Sequence, residues 1–262
     1  MDSHSPRQKY KFKNFPLVGP LSWRLVRGLR DAGRTLRGKG KVKYVFRRIE
    51  PRGPQRNAQQ ILNVLNYAKA SESTYSGDNF PAGYHSIDIG GLRFEGQRNP
   101  RERLSLVPFD FTGKSVLDIG CNQGGMLFAI TDKISYGVGI DYDPRLINAA
   151  NRIRTHAGLG KLAFYVFDLE NENLDLIKDM VSDEKVDIVF LLAVCMWIKN
   201  WRQVIDFAAQ ISRQMLFESN GSEEQQKEQV DCLRTKYRTV QLLSGQSLDD
   251  RSQKSRRLYL CQ

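Results

Sequence analysis

Cysteine and histidine are scarce in this sequence of 262 residues. It contains four cysteines and three histidines; no two cysteines form a CxxC pair, and no cysteine lies at metal-ligand spacing from a histidine. Zinc sites and disulfide frameworks both depend on such clusters. The sequence therefore predicts no metal centre, and reduced thiols of this kind are typical of a cytoplasmic protein.

Long hydrophobic runs are also absent. No stretch approaches the roughly 18 uninterrupted apolar residues of a membrane-spanning helix, and the longest apolar run, 186–198, contains Asp187. The uncharged stretch near the N-terminus, 14–23, is short and holds two prolines. We therefore predict neither a transmembrane helix nor a signal peptide.

Net positive charge is confined to the first part of the chain. Residues 1–60 hold 16 Lys+Arg and 3 Asp+Glu, a net +13, which leaves −2 for residues 61–262 of the total of +11. Within this basic arm, the apolar residues of 20–38 recur at steps of three and four, opposite the arginines, which predicts a basic amphipathic helix. Such a helix suits an anionic membrane surface, packing on the main domain, or binding of RNA phosphates.

The remaining sequence suggests two further regions. Residues 50–57 are typical of a linker. A helix is predicted over 58–70, and a lid-like segment rich in Gly, Ser, Asn, Pro and aromatic residues, 71–100, completes the region 61–100. Residues 101–262 alternate apolar strand patterns with helical patterns, which predicts an α/β domain with a mostly parallel sheet. The strands are predicted at 115–120, 136–141, 162–168, 186–192 and 214–220, the helices at 124–132, 144–157, 175–182, 201–212 and 223–236, and an antiparallel closing pair at 240–244 and 257–261.

The stretch VLDIGCNQGG, residues 116–125, ends the first of these strands at an acid and turns on glycines into a helix. Asp141 ends the next strand 23 residues after Asp118, where a carboxylate can accept the hydroxyls of a ribose. A nucleoside cofactor is therefore predicted. Asn122 replaces the middle glycine of the dinucleotide fingerprint, and Asp118 puts negative charge where phosphates would lie. The turn thus favours S-adenosylmethionine, which has no phosphate, over NAD.

These motifs, with GVGIDYDPRLINAANRI, FYVFDLEN and VDIVFLLAVCMWIKNW, resemble those of class I S-adenosylmethionine-dependent methyltransferases over about residues 100–220. The resemblance implies a Rossmann-like, mostly parallel seven-stranded sheet with helices on both faces and an antiparallel edge strand. It also implies S-adenosylmethionine as cofactor. The cofactor contacts it implies are Asp118, Gly120, Cys121, Asn122, Gly124, Asp141, Tyr142, Asp168, Leu169 and Ala193.

Two narrower resemblances concern the acceptor. GQRNPRERL together with GCNQG is similar to methylphosphate capping enzymes, which methylate a terminal RNA phosphate, and this implies that Arg103 meets the cofactor carboxylate. The sequence departs from that family at Glu95, where an aromatic residue is usual, and at FESNGS after the fifth strand. FESNG instead resembles methyltransferases that act on bacterial surface polysaccharides.

Methyl transfer to a hydroxyl needs a positioned base, and the candidate catalytic residues are His85, Glu218 and Asn220. Our first hypothesis is O-methylation of a hydroxyl or phosphate of a saccharide or lipid-linked glycan. The enzyme would then be cytoplasmic, with peripheral membrane contact through residues 20–38. The alternatives are an RNA methyltransferase, acting on a 5′-phosphate or a base with the arm as a phosphate clamp, and a non-catalytic scaffold that binds the cofactor.

Overall fold

The computed structural model describes Ile49, Gly53 and residues 55–69, 80–182, 184–247 and 255–262. The basic helix predicted at 20–38 lies outside these ranges, and so does half of the predicted linker, namely residues 50–52 and 54. No helix within the described ranges has the length and hydropathy needed to cross a bilayer.

A central sheet of seven strands organises the described chain. The strands are Ser115–Ile119 (β5), Tyr136–Asp141 (β6), Leu162–Val166 (β7), Ile188–Leu192 (β8), Gln214–Glu218 (β9), Val240–Ser244 (β10) and Leu258–Cys261 (β11). Their order across the sheet is β10-β11-β9-β8-β5-β6-β7. Strands β5 to β9 are parallel, whereas β11 runs antiparallel to both β9 and β10. This arrangement confirms the predicted α/β fold with an antiparallel edge.

Helices cover both faces of the sheet because alternate strand residues point to opposite sides. In β8, Ile188 and Phe190 join the apolar cluster under one helical layer, while Val189 and Leu191 join the cluster under the other. The first layer contains Arg56–Ala68 (α1), Gly125–Ile130 (α3) and Pro144–His156 (α4), and the second contains Trp201–Ile211 (α5) and Glu223–Lys236 (α6).

Two helical predictions differ from the structure. Helix α1 begins at Arg56, inside the predicted linker. The prediction missed its first turn because that turn carries only polar or small side chains, and the buried residues of the helix begin at Ile61. The segment predicted as a helix at 175–182 is a 3₁₀-helix, Leu174–Met180, with Ile177 as its buried residue. The ion pair of Asp175 with Lys178, three positions apart, fits the three-residue turn of a 3₁₀-helix.

The described part of the predicted lid-like segment folds into four short strands and one helical turn. Gly83–His85 (β1) pairs in parallel with Gly96–Arg98 (β4), and Ile87–Ile89 (β2) forms an antiparallel hairpin with Leu92–Phe94 (β3). A short helix, Pro100–Leu104 (α2), follows and is capped by the Asn99 side chain. Strand β2 packs against α3. We call residues 80–98 the cap segment, and its opening as a lid stays a prediction.

Candidate active site

The turn between β5 and α3 contains three residues in the left-handed region, Gly120 (φ 77°), Asn122 (φ 54°) and Gly124 (φ 80°). Glycine takes up this conformation without a steric penalty, and asparagine tolerates it better than most residues. The amides of Gly120 and Cys121 both donate to the Ile140 carbonyl at 2.9 Å. The turn is therefore fixed against the end of β6, where Asp141 lies.

Two carboxylates meet at this turn. Asp118 is 2% exposed, and its Oδ2 has no hydrogen-bond partner among the residues that the structure describes. Asp141 accepts hydrogen bonds from the amides of Asn122 (2.9 Å) and Asp143 (3.0 Å). Burial and the nearby charge of Asp141 raise the pKa of Asp118 to about 8. Burial also raises the pKa of Asp141 to about 6, against the lowering effect of its hydrogen bonds.

These residues fit S-adenosylmethionine. A buried carboxylate oxygen without a partner requires a donor or a cation, and the cofactor offers ribose hydroxyls, an ammonium and a sulfonium. The segment 116–125 contains no lysine or arginine that would bind a pyrophosphate. Cys121 is buried beside the two acids, and burial raises the pKa of its thiol well above the usual value. It therefore lines the turn as a neutral thiol.

The ribose and adenine contacts implied by the resemblance lie at the ends of β6 and β7. Tyr142 is 60% exposed. Asp168 accepts hydrogen bonds from the amide of Glu170 (2.9 Å) and from Nδ2 of Asn171 (2.8 Å). The Asn171 bond is the main cause that lowers the pKa of Asp168. Leu169 is buried beside it. Asp168 thus organises its own loop and stays ionised.

Glu218 ends β9 between two buried arginines. Arg98 donates from Nη2 to Oε1 (2.9 Å) and from Nη1 to Oε2 (3.2 Å), and Nη2 of Arg103 lies 3.5 Å from Oε2. All three side chains are at most 5% exposed. Both carboxylate oxygens are therefore engaged with guanidinium groups. This geometry suits a residue that holds arginines in place better than one that accepts a proton from a substrate.

A cavity of about 180 Å³ borders this ion-pair group at the C-terminal edge of the sheet. Ser244 and Ser247 line it together with Arg98, Arg103 and Glu218, and Ser247 Oγ accepts from Nη2 of Arg98 at 2.9 Å. The sequence leaves Arg98 open as a partner of a phosphate or of the cofactor carboxylate, or as a solvated surface arginine, and does not predict its pairing with Glu218. Its strand is only three residues long, and its partner lies 120 positions away.

His85 lies in β1, beside the glycine turn. Its ring packs against that of Tyr84, with centroids 4.6 Å apart, and its side chain occupies the space that a Cβ on Gly125 would need. Gln123, also absent from the predicted site, donates from Nε2 to the carbonyls of Ala82 (2.6 Å) and His85 (2.9 Å). The turn and the cap segment are thus joined directly.

Asn220 supports the loop that follows β8. Its Nδ2 donates to the Ala193 carbonyl (2.5 Å), and its Oδ1 accepts from the Met196 amide (3.1 Å). The side chain of Gln229 hydrogen-bonds to the Asn220 amide and carbonyl. Ala193 itself has φ 60°, so Asn220 holds a strained loop in shape. Each predicted catalytic residue therefore lies at the C-terminal edge of the sheet or beside the turn, but in a different hydrogen-bonded group.

Comparison with known proteins identifies the family of this chain. A family model described as a methyltransferase domain matches residues 92–255. Aklanonic acid methyltransferase from Streptomyces is 30% identical over 118 residues, which are 42% of this chain and 51% of the relative. The 7SK snRNA methylphosphate capping enzyme of mouse is 41% identical over 71 residues, 24% of this chain and 10% of the relative. The chain thus matches about half the length of one relative and a tenth of the other.

Solved structures share the fold. The N-terminal domain of EvdMO1, crystallised with S-adenosylhomocysteine and D-fucose, has a TM-score of 0.54 at 10% identity, over 80% of this chain and 99% of that one. The bifunctional kinase-methyltransferase WbdD has a TM-score of 0.52 at 19% identity, over 63% of this chain and 40% of that one. The family match, the sheet order and the paired carboxylates agree: the chain belongs to the class I S-adenosylmethionine-dependent methyltransferases.

Proposed function

We propose that this protein methylates an oxygen, a hydroxyl or a phosphate, of a saccharide or lipid-linked glycan. The carboxylate pair of Asp118 and Asp141 supports the use of the cofactor. The observation that carries the acceptor class is charge: residues 61–262, which include the whole described site, have a net charge of −2. Enzymes that act on nucleic acid usually surround their site with positive charge. A sugar acceptor needs no such field.

When bound, S-adenosylmethionine supplies a methyl group that is activated by the adjacent sulfonium. The contributions of the chain are binding and orientation. We propose that Asp141 accepts hydrogen bonds from the ribose hydroxyls at the end of β6. Asp118 would supply a buried negative charge beside it once a bound cation favours its ionised form. The loop held by Asn220 forms the wall next to β8. Arg103, held by Glu218, is our proposed partner for the cofactor carboxylate.

A hydroxyl acceptor must lose its proton, whereas an ionised phosphate oxygen needs no base. Among the predicted catalytic residues, Glu218 already contacts Arg98 and Arg103 through both oxygens, and Asn220 has no basic group. His85 is therefore our proposed base for a hydroxyl acceptor, because its side chain lies against the first residue of α3. Glu218 and Asn220 are proposed as positioning residues.

The first test is calorimetric titration of the full chain with S-adenosylhomocysteine. We expect micromolar binding that is at least about tenfold weaker in Asp141→Asn, because that change removes a charged hydrogen-bond acceptor. Asp132→Asn, an exposed residue after α3, is the matched control and should bind normally. Failure of the unaltered chain to bind would refute the proposed methyltransferase function and also the alternative of a scaffold that binds the cofactor.

A second candidate is RNA methylation, which the match to the mouse capping enzyme and the basic arm favour. Incubation with labelled cofactor and either an oligosaccharide mixture or 5′-phosphorylated RNA separates the two. Transfer to RNA should weaken steeply with added salt, because phosphate contacts release counterions. Transfer to a neutral sugar should change little. Salt-sensitive labelling of RNA, with none of the sugars, would replace our first candidate with the second.

A further inference from the structure

A second cavity lies outside the cofactor turn and the ion-pair group. It has a volume of about 300 Å³ and separates the loop after β8 from the N-terminal half of α6. We call it the loop–α6 cleft. Its walls include Met196, Lys199, Trp201, Gln225, Glu228 and Gln229. None of the functions assigned above uses it.

The cleft combines donors, acceptors and an aromatic ring with little net charge. Lys199 contributes a positive charge and Glu228 a negative one, and Glu228 is also paired with Arg202 at 2.6 Å. The Gln225 side chain adds an amide donor, Nε2, while its Oε1 accepts from the Ser222 amide and the Gln229 side chain is hydrogen-bonded to Asn220. Such a set suits a ligand with many hydroxyl groups. A polyanion would need an excess of cations, which these residues do not supply.

Trp201 and Met196 give the cleft an apolar component. The Arg202 guanidinium lies 4.1 Å from the centroid of the Trp201 ring, which fixes the indole at the cleft wall. Met196 is 39% exposed, and the neighbouring Trp197 is 60% exposed. Sugars present C–H faces as well as hydroxyls, so a binding site for them benefits from aromatic and thioether surfaces beside hydrogen-bonding groups.

The cleft is connected to the reaction site through a fixed loop. Met196 donates its amide to Asn220, which also holds the Ala193 carbonyl at the end of β8. Ala193 is an implied cofactor contact, so the cleft begins within three residues of the cofactor wall. The cleft and the implied cofactor contact at Ala193 therefore share one loop, which Asn220 holds in shape.

We infer that the loop–α6 cleft binds a neutral saccharide unit of the acceptor, next to the unit that is methylated. This inference rests on the proposed function and names the part of the chain that selects the sugar. It assigns substrate selection to Lys199, Trp201, Gln225 and Glu228, and cofactor binding to residues on other loops.

Saturation-transfer NMR on the full chain tests the inference, with D-fucose, methyl α-D-mannoside and maltotriose as probes at millimolar concentration, with and without S-adenosylhomocysteine. We expect transfer to at least one probe. Met196→Trp should fill the cleft and weaken that binding about tenfold or more. Leu242→Trp, at an exposed apolar position in β10, is the matched control and should bind the probe normally.

Each result decides a separate point. Absence of transfer to all three sugars, or equal sugar binding in Met196→Trp and the unaltered chain, overturns the assignment of the cleft. Calorimetry with S-adenosylhomocysteine should be unchanged in both variants, because neither residue is a cofactor contact. Sugar binding that persists in a chain unable to bind S-adenosylhomocysteine would support the cleft while refuting the proposed function.

Discussion

At the scale of single residues, the carboxyl groups of Asp118 and Asp141 determine how the site responds to pH. The pKa of Asp118 rises from an ordinary 3.8 to about 8 because of burial and the charge of Asp141. The folded protein without cofactor thus holds a proton on Asp118 at neutral pH that the unfolded chain has released. This difference lowers the stability of the folded protein at neutral pH. A cation bound beside Asp118 would favour the ionised form of its carboxyl group.

The first prediction concerns the stability of the cofactor-free protein. Because the folded pKa of Asp118 lies above its unfolded value, its stabilising contribution is complete below the unfolded pKa and is lost as pH rises toward about 8. The melting temperature should therefore fall between pH 6 and about 8.5, and Asp118→Asn should flatten this slope. Asp132→Asn should leave it as it is. Equal slopes in all three proteins would contradict the assigned pKa.

The second prediction concerns cofactor binding by the same pair. A bound cation favours the ionised carboxylates, so affinity for S-adenosylmethionine should increase as pH rises through the pKa values of about 6 and about 8. Binding should also release protons near neutral pH. Calorimetry in two buffers of different ionisation enthalpy measures this release directly. A binding constant that does not vary with pH over this range would count against the prediction.

At the scale of secondary-structure elements, the contact of β1 with α3 depends on a glycine. A Cβ on Gly125 would overlap Cβ of His85, which is attached to the backbone and cannot move aside easily. The two hydrogen bonds from Gln123 to the carbonyls of Ala82 and His85 hold the same elements together. The cap segment is therefore packed on the first turn of α3, next to the cofactor turn.

The third prediction tests this contact. Gly125→Ala should lower the free energy of unfolding by about 1–3 kcal/mol, because the added methyl group overpacks the contact. It should also weaken S-adenosylhomocysteine binding, since the displaced cap lies beside the turn. Gly160→Ala is the matched control, because a Cβ there meets nothing within 4 Å. Denaturant titration gives the free energy of unfolding, and calorimetry gives the affinity for S-adenosylhomocysteine. A Gly125→Ala protein as stable as the unaltered chain would show that the contact has room for a methyl group.

The fourth prediction concerns the link between β4 and β9. Glu218→Gln should lower the free energy of unfolding by about 3–5 kcal/mol, because it removes the charge that two buried arginines face. In a double-mutant cycle with Arg98→Gln, the effects should be coupled by at least about 0.5 kcal/mol. Glu223→Gln, which loses an exposed ion pair with Arg257, is the control and should change stability little.

The same variants separate a positioning role from a catalytic base. A base could be replaced by glutamine with little loss of folding but with loss of turnover and of one limb of the pH–rate profile. A positioning residue would instead lose stability together with cofactor affinity. A Glu218→Gln protein that folds normally and lacks activity would therefore restore Glu218 as the base.

At the scale of the whole molecule, local patterns were sufficient to predict the order and type of most elements. The bounds of α6 agree with the prediction at both ends, and Ser222 and Gln225 form a capping box that fixes its start. The parallel strands were predicted because each is a short apolar run, and β5, β8 and β9 at the centre of the sheet are buried on both faces. The turn at 116–125 revealed the cofactor class because glycine and acid are both local features.

Contacts between distant segments could not be predicted in this way. Glu218 looked like a free acid at the end of a strand, since nothing in the sequence brings Arg98 to it across 120 positions. Asn220 looked like a reactive polar group, although the structure shows it bound to Ala193 and Met196. Such pairings depend on which strands become neighbours, and sequence periodicity does not report that order.

The fifth prediction concerns the basic arm, whose predicted helix lies outside the described residues. Changing Arg24, Arg27 and Arg30 together to glutamate should abolish sedimentation of the full chain with vesicles of phosphatidylserine and phosphatidylcholine, because each basic residue near an anionic surface adds about 1 kcal/mol. S-adenosylhomocysteine binding should persist. Equal sedimentation of both proteins would remove the proposed membrane contact.

The order of the sheet also bears on how this enzyme could change its substrate. The chain reverses direction across the sheet between β7 at one edge and β8 beside β5. The turn and the two acids precede that reversal, whereas the loop–α6 cleft and the 214–220 region follow it. Most of the implied cofactor contacts therefore precede the reversal, with Ala193 after it, and the cleft that we propose for the acceptor also follows it. Exchange of the chain after residue 187 with that of a relative would test this division, provided that Ala193 and Glu218, the partner of Arg98 and Arg103, are retained.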